Sequence, residues 1–125
     1  MRSMVSLLLL LSLSTLLSAA PEEDERALAF LTFDRYYDVE EIERAMARVH
    51  RAYPERTELR SMGRSREGRD LWVMVVFDPR GGSWRERPVM YIDGNTHGNE
   101  VQASEVCLFT IRYLLVKKDP WVEDL

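Results

Sequence analysis

One cysteine and two histidines are all that the 125 residues hold of the side chains that most often carry nucleophilic or metal chemistry. With Cys107 alone, no internal disulfide framework forms, and the core has to hold by packing. A basic excess is lacking too. The net charge is −4 and the arginines are interspersed with acids, so no cationic field draws the chain to nucleic acid. Nor is there an apolar run long enough for a comfortable membrane span, which takes about 20 residues. Val5 to Leu17, an unbroken run of Leu, Ser, Thr and Val, is too short. Beyond that run there is no internal repeat and no low-complexity tract.

The run has its own meaning. Arg2 supplies a positive start, and Ser18, Ala19 and Ala20 are the small residues a signal peptidase requires. Residues 1–20 therefore read as a secretory signal peptide, with an uncleaved anchor as the alternative. Pro21 disfavours cleavage directly after Ala20, and no cysteine nearby offers a lipid attachment point. The expected location is secreted or periplasmic, with no stable membrane insertion after cleavage. Residues 21–32 begin acidic and polar and read as a flexible lead-in. Residues 33–125 form the remaining unit, which suits one modest domain.

Within that unit the pattern predicts an α/β fold, with flanking helices on a mixed sheet. Asp38 followed by Glu41 is a capping box. Val39, Ile42, Met46 and Val49 then recur at helical spacing until Tyr53-Pro54 ends the helix. Thr57 to Met62 alternates weakly as a strand, and Gly63 to Arg69 is a turn that makes a hairpin. Leu71 to Phe77 is a Val-rich run expected to be a strand buried on both faces. A loop over Asp78 to Arg87 leads to a second short apolar strand, Val89 to Ile92. A glycine-bearing turn follows, and then a helix from Glu100 or Val101 to about Val116, ended by Asp119-Pro120. Lys117 and Lys118 suit its C-terminus.

The two histidines differ in context. His50 lies near the end of the first helix with no acid or thiol arranged around it, which is a structural setting. His97 lies in Gly94-Asn95-Thr96-His97-Gly98-Asn99-Glu100, between a strand and a helix, where ligands of α/β sheets bind. An imidazole and a carboxylate three residues apart are both good zinc ligands. On spacing alone a second reading stands beside this one: a polar turn in which Glu100 caps the helix and His97 is a surface residue.

Longer stretches of sequence add to the pair. Tyr36-Tyr37-Asp38, the helix ending Ala52-Tyr53-Pro54, Gly63-Arg64-Ser65-Arg66-Glu67-Gly68-Arg69 with its apolar strand, and the His97 segment follow one another in order. Together they resemble the zinc carboxypeptidase family, the metallocarboxypeptidases of digestion and prohormone processing, over about Phe33 to Leu115. The resemblance implies a Zn2+ ion held by His97 and Glu100, a second His far along the family's chain, a bound water, and a late Glu acting as general base. The implied substrates are peptide or protein C-termini. The second His, the general base and the carboxylate-binding residues of the family fall beyond Leu125, so the resemblance implies the N-terminal part of such a domain, with no catalytic residue present and no activity alone. Gly98-Asn99 in place of a pair ending in Arg looks more like the regulatory subfamily and many bacterial members, and Glu105 falls where that subfamily tends to have Glu. Two alternatives remain: an amidohydrolase or deacylase acting on N-acyl amino acids, and a non-catalytic truncated chain. Arg69 reads as a turn residue, Trp72, Trp84 and Trp121 as packing residues, and Cys107 as a small buried apolar one.

Overall fold

The computed structural model describes residues 23–117 and 119–123. The signal reading of residues 1–20 and the role of Lys118 lie outside them. In chain order the elements are α1 (Glu23–Ala27), α2 (Val39–Ala52), β1 (Thr57–Arg64), β2 (Asp70–Val76), two single turns of 3₁₀ helix (Pro79–Gly81 and Trp84–Glu86), α3 (Ala103–Val116) and α4 (Pro120–Glu123).

The start of α2 follows the capping box. The Asp38 carboxylate accepts from the Glu41 amide at 2.7 Å, and the Asp38 amide donates back to the Glu41 carboxylate at 3.0 Å. Arg35 grips both Glu41 oxygens at 2.7 and 2.8 Å. Ala45, Met46 and Val49 form the buried stripe that the helical spacing demands. At the far end the Tyr53 amide donates to the Val49 carbonyl at 3.0 Å. The Thr57 hydroxyl donates its one hydrogen to the Tyr53 carbonyl at 2.7 Å. His50 Nδ1 lies 2.9 Å from the Thr57 hydroxyl oxygen, in hydrogen-bond contact with it. This is the structural role expected for His50.

The lead-in departs from expectation. It is not a free segment: Glu23–Ala27 is helical, and Leu28 and Leu31 are 0% and 1% exposed. Its acidic composition describes only the solvent side. Two leucines three residues apart give the other side enough apolar area to dock, at about 1.5–3 kcal/mol each for full burial. The Arg48 guanidinium covers the Phe30 ring at 3.7 Å, and the Tyr53 hydroxyl donates to Asp24 at 3.0 Å, so α2 holds the segment from two sides.

The hairpin forms as expected. Strands β1 and β2 are antiparallel, with Thr57 opposite Val76, Leu59 opposite Met74 and Ser61 opposite Trp72. These pairs share the face turned to the core. A register shift between Ser61 and Arg64 is accommodated at Gly63, whose φ of 139° a side chain rarely adopts. Beyond it the Ser65 amide donates to the Arg69 carbonyl at 2.8 Å, and the Arg69 guanidinium pairs with Glu67, so Arg69 is a turn residue.

Two strand expectations are corrected. Strand β2 is half-buried rather than buried on both faces, because the sheet of the described residues has only two strands. Val89 to Ile92 is not a strand, and its side chains are 50–84% exposed. A strand needs a ladder partner for its amides and carbonyls, and no described segment pairs with this one.

Helix α3 lies across the hairpin and α1, burying Leu108, Leu115 and Val116 in the common core. Its C-terminal carbonyls are satisfied by Arg56, which donates to Leu114 and Leu115 at 3.2 and 2.9 Å. The cation at that helix end therefore comes from the start of the hairpin. Helices on one antiparallel hairpin make this an α/β arrangement.

Candidate metal centre

After Ile92 the chain turns back sharply onto the start of α3. Gly94 permits the return. A Cβ placed on Gly94 would lie 2.6 Å from the carbonyl carbon and oxygen of Ala103 and 2.8 Å from its Cβ, so only glycine fits. Asn95 follows with φ at 59°, the left-handed region that Asn tolerates better than most residues. Its side-chain oxygen accepts from the Ala103 amide at 3.0 Å and its amide nitrogen donates to the Ser104 hydroxyl. Asn95 thus caps α3 from eight residues upstream, while Gln102 at the local cap position makes no side-chain cap bond. Thr96 donates to Asp93 at 3.1 Å.

Residues 96–102 bulge outward as a loop closed at its base by Asn95. At its tip the Glu100 amide donates to the His97 carbonyl at 3.1 Å, closing a tight turn. The turn folds both side chains to one spot. His97 Nδ1 and Glu100 Oε1 are 2.7 Å apart, and the His97 amide donates to Glu100 Oε2 at 3.2 Å. The imidazole is 75% exposed and the carboxylate 39%, so the pair is open to solvent. The hydrogen bond from His97, then that from its backbone, holds the Glu100 carboxyl below the usual carboxylate range.

Helix α3 begins at Ala103, later than expected. His97 and Glu100 are therefore turn residues, and Glu100 stands ahead of the helix rather than in its first turn. Convergence comes from the turn, not from helical spacing.

The donor set suits zinc in kind: an imidazole nitrogen and a carboxylate oxygen face the same point. His97 and Glu100 would hold the ion in place of their direct 2.7 Å contact. In number the set is short. Among the described residues no group of three or more His, Cys, Asp or Glu side chains converges on one point. His50 belongs to no such group; it lies at the end of α2 with its Nδ1 2.9 Å from Thr57 Oγ1. Cys107 is half-buried, and burial, then Asp93, pushes its thiol up, which is the setting of an inert thiol. Of the tryptophans, Trp72 packs against the core and Trp84 donates to Glu58 at 3.0 Å, whereas Trp121 is 83% exposed.

The model of the family described as zinc carboxypeptidase matches residues 42–125. The chain belongs to the zinc carboxypeptidase family. Carboxypeptidase D of Drosophila melanogaster is 35% identical over 88 residues, which is 69% of this chain and 6% of that protein. Carboxypeptidase D of Homo sapiens is 40% identical over 82 residues, 64% of this chain and 6% of that protein. Carboxypeptidase M of Mus musculus is 35% identical over 97 residues, 73% of this chain and 21% of that protein. The chain thus spans a small fraction of the curated relatives it matches. No solved structure shows significant similarity to it. Among its described residues, no helix is long and apolar enough to cross a membrane.

Gly94 was legible as a sharp-turn residue, but the role of Asn95 as the fastening of the turn was missed from sequence. A glycine followed by asparagine signals a left-handed turn, but nothing local says that the amide they serve is eight residues on.

Proposed function

We propose that this chain is the metal-binding N-terminal part of a zinc-dependent carboxypeptidase that hydrolyses the last peptide bond of peptides or proteins, with His97 and Glu100 as two of the zinc ligands. The observation that carries the proposal is the convergence of His97 Nδ1 and the Glu100 carboxylate in an exposed turn of a chain that belongs to this family. Zinc supplies a water of lowered pKa and polarises the scissile carbonyl.

The chain's own residues have three tasks. Glu100 stays ionised through neutral pH, since its hydrogen bonds favour the charged form, and so presents an anionic ligand without a proton to lose. The His97 amide fixes the orientation of that carboxylate through Oε2. Gly94 and Asn95 hold the base of the loop on α3, so that both ligands stand on a rigid support.

A catalytic zinc takes three protein ligands and an open position. The described residues bring two together, so the complete site draws at least one more donor, and the general base, from outside them. The 125 residues alone are accordingly expected to be inactive. The signal-like sequence of residues 1–20 supports a site outside the cytoplasm, and the family match supports peptide C-termini as partners. The family match and the carboxypeptidase relatives favour this reading over the deacylase one.

The test is release of a C-terminal amino acid by protein expressed from the complete reading frame, with and without a zinc chelator. Activity should vanish on chelation and return with zinc. His97→Ala should lose both zinc and turnover, by about 10²-fold or more, as removal of a ligand does. Turnover that survives the chelator, or that does not depend on His97, would refute the proposal.

A further inference from the structure

Helix α3 presents one face to a strap formed by residues 33–37. Gln102, Glu105 and Phe109 lie on that face at helical spacing. Each meets a different group of the strap. The Gln102 side chain donates to the Tyr36 hydroxyl at 3.2 Å. The Tyr37 amide donates to Glu105 Oε1 at 2.7 Å, across a sequence separation of 68 residues. The Phe109 ring meets Phe33 edge-on at 5.6 Å. Phe33 is held with φ at 55°, a region disfavoured for a residue with a bulky side chain. A conformation of that kind persists only where its surroundings impose it, and here the surroundings are the rings of Phe109 and Tyr37.

Glu105 is the charged member of this contact. It sits in the first turn of α3, two residues after the amide that Asn95 caps and one after the hydroxyl that Asn95 holds. The loop carrying His97 and Glu100 is therefore pinned on one side by Asn95, and the helix end that receives it is pinned to the strap by Glu105. Its second oxygen, Oε2, is buried and has no hydrogen-bond partner among the described residues. A carboxylate so placed has one strong contact, the Tyr37 amide, and losing it leaves a buried acid with nothing to accept from.

We infer that Glu105 is a positioning residue for the metal turn: by accepting from the Tyr37 amide it locks the first turn of α3 to the strap, and through that turn sets the separation of His97 and Glu100. The inference rests on the function proposed above. Glu105 touches neither ligand; it acts through the helix start to which Asn95 fastens the loop.

Two measurements on the protein expressed from its complete reading frame test it. The first is the zinc dissociation constant, by chelator competition, for the native protein and for Glu105→Ala, Glu105→Gln and His97→Ala. Glu105→Ala should weaken zinc about tenfold, the low end for residues that orient ligands. Glu105→Gln keeps an acceptor for the Tyr37 amide and should recover most of that loss. A purely structural acid would lower the unfolding midpoint of Glu105→Ala and leave zinc affinity at the native value, and that result would overturn the inference.

The second measurement uses the native protein alone, so it holds if the alanine variant fails to fold. Coupling between sites is reciprocal. If the Glu105 contact tightens zinc about tenfold, zinc must tighten the contact by the same factor. Hydrogen exchange of the Tyr37 amide should then slow about tenfold on adding zinc, while amides of β2 keep their rates. Equal rates at Tyr37 with and without bound zinc would also overturn the inference. Failure of the function itself looks different: zinc binding would be absent or indifferent to His97→Ala, whatever the Glu105 variants do.

Discussion

Replacing Gly94 with alanine tests the packing that seats the turn carrying His97 and Glu100. The added Cβ would stand 2.6 Å from two backbone atoms of Ala103 and 2.8 Å from its Cβ. Those atoms belong to the first residue of α3, which cannot swing away as a flexible side chain does. The 93–95 segment and the helix start must therefore part by several tenths of an ångström, which stretches the Asn95 cap on Ala103 as well. Overpacking a backbone contact costs about 1–3 kcal/mol. In a unit of this size each kcal/mol lowers the melting temperature by about 4–8 °C, so a drop of about 10 °C is expected. Gly98→Ala is the internal control, because nothing lies within 4 Å of its added Cβ and its φ is not in the left-handed region. That variant should stay within about 0.5 kcal/mol of the parent. Urea and thermal unfolding of the two variants, side by side, give the answer. If Gly94→Ala is as stable as Gly98→Ala, the close approach to Ala103 does not exist in solution and the account of how the turn is seated fails.

Two further perturbations probe other parts of the scaffold. Truncating Leu28 to alanine should cost about 2–5 kcal/mol, as for other fully buried leucines; a midpoint within error of the parent would mean that the segment before α2 is not docked. Acid stability should depend on Glu41, whose carboxyl is held from its ordinary 4.5 down to about 2, by Arg35 first and then by the Asp38 amide. A depressed carboxyl contributes stability that is full above pH 4.5 and is lost as pH falls through about 2. Glu41→Gln should flatten the urea midpoint against pH within that window, and an unchanged slope would refute the assignment.

Local signals in the chain carried the helices and the hairpin. Asp38 and Glu41 satisfy each other within one turn of backbone, so their spacing alone predicts α2. The glycines at 63 and 68 take positive φ values of 139° and 81°, which their residue type already allows. The proximity of His97 and Glu100 was legible for the same reason: they are three residues apart, and a single turn brings them together. What failed were inferences from an apolar or polar stretch to a partner distant in the chain. Val89 to Ile92 has the composition of a strand, yet a strand is a property of two segments, and no described one lies beside it. Leu28 and Leu31 looked like part of a polar lead-in because the surface that buries them is assembled from α2 and α3.

By itself, then, the sequence determined the capped helix, the hairpin, the donor types of the turn carrying His97 and Glu100 and the family to which they belong, because each depends on residues close together or on their order along the chain. Only the tertiary structure decided that Asn95 caps a helix eight residues away, that Arg56 closes the C-terminus of that helix, and that Glu105 meets the Tyr37 amide. Those contacts join groups whose separation along the chain is unrelated to their distance in space, and hydrogen bonds of that kind leave no period, spacing or composition to read.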